Sequence, residues 1–500
     1  MKKSFWVFPL ACLLQACGHS GSSTADLLQV HLSSEPVSLD PTMVEDGVSL
    51  RVINNVMDGL VGYDGAGHFE KRLAESYEIS QDGKKYIFKI RPDALWSDGK
   101  PVVAQDFVTA IHRALDPQTG SKLSGFMLVV QSVSDQGGKL VIEIKQRTTW
   151  FLHALTLPLA MPLRADILAK NQGRWNDRAP SCGSYRIVSH KQDQEILLEK
   201  NPWAPASAPK QVLMRIVQDE STASSLFEQG KLDILTRVPE FDLQRFKKKN
   251  WIHSDPMLAT YFLSFNIKKP PFDNRDFRRA VAGAIHRDEL MKALGSEETP
   301  ARSWIPKGLP GYLPYEGQKE LVATFGDSIA KVKAAVAQKP IPEFPAGFDS
   351  GDRNTLVMEK VQQDLLHELG LKISLTHSDW KAYVASLHGD PPPLFRFGWL
   401  APILDPMFHL QAFVTGDSMN LFRFSNPEFD SLVAASNRLP DGPAREAKIM
   451  AAQKILVERE AIVVPIYHYI LNHAVSDRVL GFKVNPFGVI RFDEITLKNP

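Results

Sequence analysis

The amino-acid sequence predicts an α/β protein made of two or three lobes. Predicted strands alternate with amphipathic helices along the chain, which is the pattern of α/β folds. The 500 residues are more than one hydrophobic core usually organises, so several lobes are expected. Hydrophobic residues make up 44% and charged residues 23% of the chain, which indicates a folded protein rather than a disordered or membrane-spanning one. The formal net charge of +1 offers no general field for nucleic acid, so no such partner is expected.

The first part of the chain alternates strands and helices. Leu27 to Leu32 has the composition of a strand, and apolar residues recur at helical spacing from Val48 to Leu60. Residues 62–67 contain an Asp-Gly pair, which favours a hairpin turn. Residues 86–91 alternate as a strand does, and residues 106–115 have helical periodicity.

The later part of the chain repeats this pattern. Apolar residues spaced three or four apart between Val357 and Leu369 share one face of a helix that Gly370 ends. Residues 372–376 predict a strand, and Pro443 fits the first turn of another helix. Residues 462–469 predict a further apolar strand.

A short apolar run at residues 394–399 contains an arginine. It follows a triple proline and is too short for a helix, so it predicts a buried strand. Because a lone buried charge costs several kcal/mol or more, Arg396 needs either an internal carboxylate or a bound anion. Its position alone favours the internal partner. Gly398 permits close backbone approach and Trp399 offers a flat apolar wall, so we place this run in a ligand cleft between lobes.

The N-terminus predicts export. Lys2-Lys3, an apolar run from Phe5 to Leu14 and the sequence Leu-Gln-Ala-Cys ending at Cys17 describe a signal of residues 1–16. This ending resembles the lipobox of bacterial lipoproteins, which implies a lipid on Cys17 and a short tether over residues 17–26. A soluble secreted protein is the alternative. Only Cys182 would then remain as a free thiol, so no intramolecular disulfide is expected in the mature chain.

Catalysis and metal binding are weakly supported. Ser328 and Lys331 have the Ser-x-x-Lys spacing of serine acyl enzymes, and Ser418 with Asn420 matches their second element, but the third element is missing. No histidine lies near Cys182 in the sequence, and the pairs formed by the histidines lack the spacing of metal ligands. We therefore expect no enzyme activity, no cofactor and no metal.

A set of motifs resembles extracellular solute-binding protein family 5, the oligopeptide- and dipeptide-binding lipoproteins of ABC importers. These motifs are Ala74-Glu75-Ser76, Asp82-Gly83, Trp96-Ser97-Asp98-Gly99, Asp106-Phe107 and Arg113-Ala114-Leu115-Asp116-Pro117. Val103 departs from the pattern, because the family usually has a threonine there that can cap the following helix.

The resemblance implies a fold like that of type II periplasmic binding proteins, with three lobes and a hinged ligand cleft. Lobe I would be discontinuous and comprise residues 27–57, 161–256 and 466–500. Lobe II, residues 58–160, would be inserted in it, and residues 257–465 would form the large lobe III.

The resemblance also implies a binding site. An extended peptide would pair with backbone at Glu45-Asp46-Gly47 on the first lobe and at Gly398-Trp399-Leu400 on the third. Arg396 would clamp a ligand carboxylate, and this match favours a ligand over the internal partner.

One position departs from the binding pattern. Pro402 stands where related peptide binders have an aspartate for the ligand's α-ammonium. Asp405 is a possible replacement, although capping the segment before Pro406 is an equal alternative. Arg237 is a second candidate cleft cation that would favour an anionic ligand, with a plain surface role as the alternative.

The sequence thus predicts a monomeric, exported, lipid-anchored component of an ABC importer, facing the periplasm or cell exterior. It would capture oligopeptides and deliver them to a membrane permease and its ATPase. One alternative is the same class with another solute, namely a metal chelate, haem, glutathione or a murein peptide. Another is a membrane-tethered receptor without transport.

Overall fold

A computed structural model describes residues 26–295, 297–417 and 419–498. The predicted signal, almost all of the tether, and Cys17 lie outside the described residues, as does Ser418. No helix in the described part of the chain combines the length and apolar character needed to cross a membrane.

The strands follow in chain order. They are β1 (Leu27–Leu32), β2 (Val61–Tyr63), β3 (Phe69–Lys71), β4 (Ala74–Ile79), β5 (Lys85–Ile90), β6 (Val130–Gln136), β7 (Lys139–Ile144), β8 (Tyr185–Lys191), β9 (Glu195–Lys200), β10 (Gln211–Ile216), β11 (Ile234–Leu235), β12 (Ile252–Phe265), β13 (Thr299–Pro300), β14 (Phe344–Asp349), β15 (Ile373–Ser378), β16 (Leu394–Leu400), β17 (Val463–Val475), β18 (Val479–Leu480) and β19 (Thr496–Leu497).

The α-helices lie between these strands. They are α1 (Gly47–Val56), α2 (Ala104–Leu115), α3 (Phe151–Ala154), α4 (Ala165–Lys170), α5 (Glu220–Glu228), α6 (Glu240–Lys248), α7 (Arg275–Ala284), α8 (Arg287–Leu294), α9 (Gln318–Gln338), α10 (Asp352–Leu369), α11 (Trp380–His388), α12 (Met407–Gln411), α13 (Pro427–Arg438) and α14 (Pro443–Lys454). A π-helical turn, Ile455–Arg459, continues α14.

Most strands belong to one large mixed sheet. Its order is β15-β14-β16-β12-β17-β11-β1-β10-β9-β8, and β13 pairs with β17 off this path. The two longest strands, β12 and β17, pair antiparallel, and their register shifts between Pro256 and Thr260 and again after Tyr261. They join the part of the sheet around β1 to the part around β16. A separate four-stranded sheet has the order β4-β5-β7-β6.

The apolar interior is divided into clusters. One runs through β1, β10, α2 and the four-stranded sheet, so the predicted lobes I and II share a continuous core. Two others contain apolar side chains of β12 and β16, one with α7 and α10 and one with Trp304 and Phe413. The predicted lobe boundaries stay a prediction.

The predicted elements are largely present, with some differences in length. β1 and β16 are confirmed, Gly370 ends α10 with φ 68°, and Pro443 begins α14. The predicted helix over 48–60 ends at Val56, because the carbonyls of Gly59 and Leu60 accept hydrogen bonds from Leu73 and Arg72 at 3.0 Å. β17 continues to Val475, beyond the predicted end, because β12 pairs with this extension.

Candidate functional site

The strand β16 has a partly open edge. On one side it pairs antiparallel with β12 along its whole length. On the other side β14 pairs with it only at Leu394 and Phe395. Within the described residues, the edge from Arg396 to Leu400 therefore has no strand partner.

The pattern of hydrogen bonds between β16 and β12 shows which main-chain groups of β16 face this edge. The Ala401 N–H donates to the Leu258 carbonyl at 2.9 Å. Along an antiparallel strand, residues whose N–H and C=O groups bond to the partner strand alternate with residues whose groups point to the opposite side. Ala401 bonds to β12, so Arg396, Gly398 and Leu400 direct their N–H and C=O groups away from β12. The Tyr383 hydroxyl donates to the Arg396 carbonyl at 2.6 Å on that side. The edge thus offers donors and acceptors to an added extended chain.

Two cavities meet at this edge. The charged cavity, about 740 Å³, is lined by residues drawn from segments 237–241, 349–354, 396–400 and 467–472, with Glu220 and Glu298 among the others. The apolar cavity, about 330 Å³, is lined by residues drawn from segments 44–72, 156–161, 400–408 and 485–491, with Leu123. Leu400 lines both.

Arg396 lies in the wall of the charged cavity and has an internal partner. Its guanidinium forms an ion pair with Asp349, and one nitrogen donates to the Tyr469 hydroxyl at 3.1 Å. The guanidinium carbon lies 4.7 Å from the centre of the Tyr261 ring. Burial raises the pKa of both tyrosines, so their hydroxyls stay protonated at neutral pH.

Arg353 makes a similar arrangement beside it. It forms ion pairs with Glu240 and Glu298 and donates to the Tyr467 hydroxyl at 3.2 Å. Three buried polar atoms of this wall have no hydrogen-bond partner within the described residues: Arg396 Nε, Trp399 Nε1 and Glu298 Oε2. Two unsatisfied donors and one unsatisfied acceptor therefore lie in the wall of the charged cavity.

The charges that line this cavity bear on the expectation that Arg237 favours an anionic ligand. Arg237 does line it, with a largely exposed side chain 3.4 Å from Glu220. However, the lining holds five carboxylates and three guanidinium groups. The expectation that a second cleft cation favours an anionic ligand is therefore not supported by these charges.

The first-lobe residues predicted for the site lie at the apolar cavity. Glu45 and Gly47 line it together with Leu400, so the structure brings these two segments to one cavity. Asp46 instead caps α1, and its Oδ1 accepts from Val48 N–H at 3.0 Å and Ser49 N–H at 2.9 Å. Gly398 and Trp399 line the charged cavity.

Asp405 is a correction. Its side chain is 3% exposed and accepts two hydrogen bonds from Arg445, at 2.9 and 2.7 Å. It also accepts a hydrogen bond at 2.8 Å from the N–H of Met407, the first residue of α12. Neither cavity includes it. The charge of the Asp405 carboxylate is already neutralised by Arg445. Asp405 therefore cannot take the place of the aspartate that related peptide binders have at the position of Pro402, and the capping alternative describes it better.

Comparison with known proteins now identifies the family. The family model described as bacterial extracellular solute-binding proteins, family 5 Middle, matches residues 68–420. The chain belongs to this family. The predicted resemblance and the type II periplasmic-binding-protein fold are both confirmed.

Several relatives align over nearly the whole chain. The oligopeptide-binding protein OppA of Bacillus subtilis (strain 168) is 28% identical, with 98% of this chain and 99% of the relative covered. The probable deoxycholate-binding periplasmic protein YgiS of Escherichia coli (strain K12) is 26% identical, with 93% and 92% covered. Among solved structures, the murein tripeptide binding protein MppA of Escherichia coli has a TM-score of 0.78 at 25% identity, covering 94% of this chain and 98% of that one.

The acyl-enzyme motif of this family 5 protein has a structural role. The Ser328 hydroxyl is buried, donates to Asp276 at 2.9 Å and accepts from Arg279 at 3.1 Å. Lys331 forms an ion pair with Asp276 at 3.1 Å. The serine is therefore engaged in the packing of α9 on α7. Burial raises the pKa of the Cys182 thiol, and the described residues hold no cluster of three metal-ligating side chains.

Several wall residues of this family 5 cleft were not predicted. Asp349 and Arg353 come from one segment of the chain and the tyrosines of the charged cavity, Tyr467 and Tyr469, from another. The alternation Tyr467-x-Tyr469 in an apolar strand is the only signal for them in the sequence, because it places two hydroxyls on one face.

Proposed function

We propose that this protein is the lipid-anchored solute-binding component of an ABC importer and that it captures extended oligopeptides. The observation that carries the proposal is the edge of β16 between Arg396 and Leu400, which has no strand partner in the described part of the chain. The charged cavity runs along this edge, and the apolar cavity lies at its Leu400 end. A peptide main chain can pair with such an edge whatever its side chains are.

The comparisons support the peptide. One full-length relative is named an oligopeptide-binding protein, and a structure of the same fold is titled a murein tripeptide binding protein. We keep for Arg396 the proposed contact with a ligand carboxylate, because Arg396 lines the charged cavity.

Delivery completes the proposal. The bodies on either side of β12 and β17 would close on the solute, and the closed form would be the one that a permease and its ATPase recognise. A lipid on Cys17 would hold the protein at the membrane surface. Labelling with a radioactive fatty acid in cells, with Cys17→Ser as the control, tests the anchor.

The main-chain contact can be tested at Leu400. Leu400→Pro removes the N–H that faces the edge, whereas Leu400→Ala removes only the side chain. We expect the proline variant to bind peptides about tenfold more weakly than the alanine variant, equivalent to about 1.4 kcal/mol for one lost hydrogen bond. Calorimetry with peptides of unrelated sequence measures this. Equal affinities for the two variants would contradict main-chain recognition at this position.

A different solute is the second candidate, and the apolar cavity favours it. A relative of similar coverage is named a probable deoxycholate-binding protein, and most of this cavity's lining is apolar. Native mass spectrometry of protein purified from its own cells separates the two functions. A series of peptide masses supports the first proposal, and one defined small mass supports the second.

A further inference from the structure

The apolar cavity lies where an extended solute would end. It begins at Leu400, the last residue of β16, and continues along Ala401 and Pro402. Its volume of about 330 Å³ is close to the lower limit of small-molecule pockets, about 300 Å³. A solute paired with β16 would therefore place one terminal group in this cavity.

Three of the four charged side chains in the lining are already paired. Arg491 forms ion pairs with Asp58 at 3.1 Å and Asp493 at 2.8 Å. Arg72 forms an ion pair with Glu70 at 2.6 Å and also donates to the Tyr63 carbonyl at 2.8 Å. These groups have little capacity left for a charged end of a solute.

Each neutral polar side chain of the lining, Thr156 included, holds at least one internal hydrogen bond. The Asn54 amide donates to the Leu50 carbonyl at 2.9 Å, and the Asn485 side-chain oxygen accepts from two backbone N–H groups at 3.1 and 3.0 Å. The Tyr63 hydroxyl bonds to His153 Nδ1 at 2.8 Å. Pro402 has no N–H to offer. A polar group entering this cavity would lose bonds to water and gain few in return.

The remaining lining is suited to hydrocarbon. Val44, Val61, Leu157, Met161 and Val489 are all buried and line the cavity. Glu45 is the exception: it is exposed at this cavity, and no hydrogen bond or ion pair joins it to another described residue. A carboxylate in water gains little from an exposed partner.

We infer that the apolar cavity receives an uncharged, apolar terminal group of the solute, such as a large aliphatic or aromatic side chain, and disfavours a charged terminus. This inference rests on the proposed function, because it takes the solute to lie along β16. It defines the solute class as peptides with an apolar residue at the end that passes Leu400.

The neutral dye N-phenyl-1-naphthylamine tests the cavity directly, since its fluorescence rises when it leaves water. Pro402→Asp adds a carboxylate that must be desolvated for the dye to enter, and we expect at least tenfold weaker binding. Pro402→Ala should stay within twofold of the native protein, as should Phe241→Ser at the charged cavity. Leu400→Asp, at a side chain that is 45% exposed, should repeat the loss if the first variant does not fold. Unchanged dye binding in the folded aspartate variants would overturn the inference.

Peptides of equal length, with leucine, lysine or glutamate at one end, then separate the inference from the proposed function. We expect leucine at one of the two ends to raise affinity at least tenfold over either charged residue, and Glu45→Gln to leave this preference unchanged. If peptides bind without any end preference, or if Glu45→Gln abolishes a preference for lysine, the inference is wrong while the function stands. If the dye binds as expected and calorimetry detects no peptide binding, the proposed peptide function is wrong and the apolar cavity stands. If peptides bind but do not displace the dye, the inference is wrong and the proposed function stands.

Discussion

The two cavities share Leu400 but hold charge in different ways. In the charged cavity, Arg396 and Arg353 each lie against a tyrosine and a carboxylate, and carboxylates outnumber guanidinium groups. In the apolar cavity, paired ions lie among hydrocarbon side chains that make up most of the lining. A buried arginine in a cleft therefore does not by itself indicate an anionic ligand. Its internal partners decide how much charge it presents.

The largest effect is expected at Asp405, which lines neither cavity, and its ion pair with Arg445 is the reference for a purely structural pair. Asp405→Ala leaves Arg445, which is 2% exposed, without its main partner. Breaking a buried pair in this way costs about 4 kcal/mol. We expect this loss in the free energy of unfolding by urea, with unchanged solute affinity in the protein that remains folded. A loss of affinity larger than the loss of stability would place Asp405 in the cleft after all.

Arg396→Ala tests whether the pair in the charged cavity behaves like this reference. Asp349 would be left partly buried without its partner, and we expect the free energy of unfolding to fall by about 3 kcal/mol. Asp349→Ala in the same chain should recover more than half of that loss, as a double-mutant cycle can show. Calorimetry should also show weaker peptide binding, by about 2 kcal/mol. Full affinity combined with lost stability would leave Arg396 only a structural role.

Acid should destabilise the protein through two buried histidines that are sequence neighbours of cavity-lining residues. His468 lies between the tyrosines of β17, and His409 follows Phe408 of the apolar cavity. Burial lowers the pKa of His468 to about 4 and that of His409 to about 3. The unfolded chain takes up these protons below its ordinary pKa of about 6.5, so stability is complete above that pH. It is lost as the pH falls towards 4, by up to about 1.4 kcal/mol per pH unit for each histidine.

Urea unfolding between pH 7 and pH 4.5 measures this dependence. His468→Gln and His409→Gln should each reduce the slope of the free energy of unfolding against pH by up to the contribution of one proton, about 1.4 kcal/mol per pH unit. His367→Gln, at a side chain that is 87% exposed, serves as the control and should not change it. If both buried variants keep the native slope, the two histidines are not the groups that resist protonation.

The smallest effect on stability is expected at the N-terminal end of α2, which lines neither cavity. Val103 precedes α2, and its side chain makes no capping hydrogen bond. Val103→Thr should add one and raise the free energy of unfolding by about 1 kcal/mol. Peptide affinity and dye binding should stay unchanged, so this variant shows how the assays respond to stability alone. Val103→Ala should give no such gain.

The sequence predicted the elements of the cleft better than its contacts. The apolar run around Arg396 was enough to predict β16, because its period, length and proline boundary all favour a strand. Its partner Asp349 could not be selected among 57 acidic residues, since it lies 47 positions away and only the tertiary fold joins them. Asp405 was misjudged for the same reason: Arg445 is 40 positions away.

One backbone junction connects the two cavities. At the shift of register in β12, the Leu258 carbonyl accepts from Ala401 and its N–H donates to the Pro486 carbonyl at 3.2 Å. Met257 and Ala259, on either side, line the charged cavity, while Ala401 and the neighbours of Pro486 line the apolar one. Both bonds use main-chain atoms, so proline is the single natural replacement at this position that deletes a donor. The side chain of Leu258 is buried in the apolar core, so its packing and the two main-chain links between the cavities are separate contributions of the same residue.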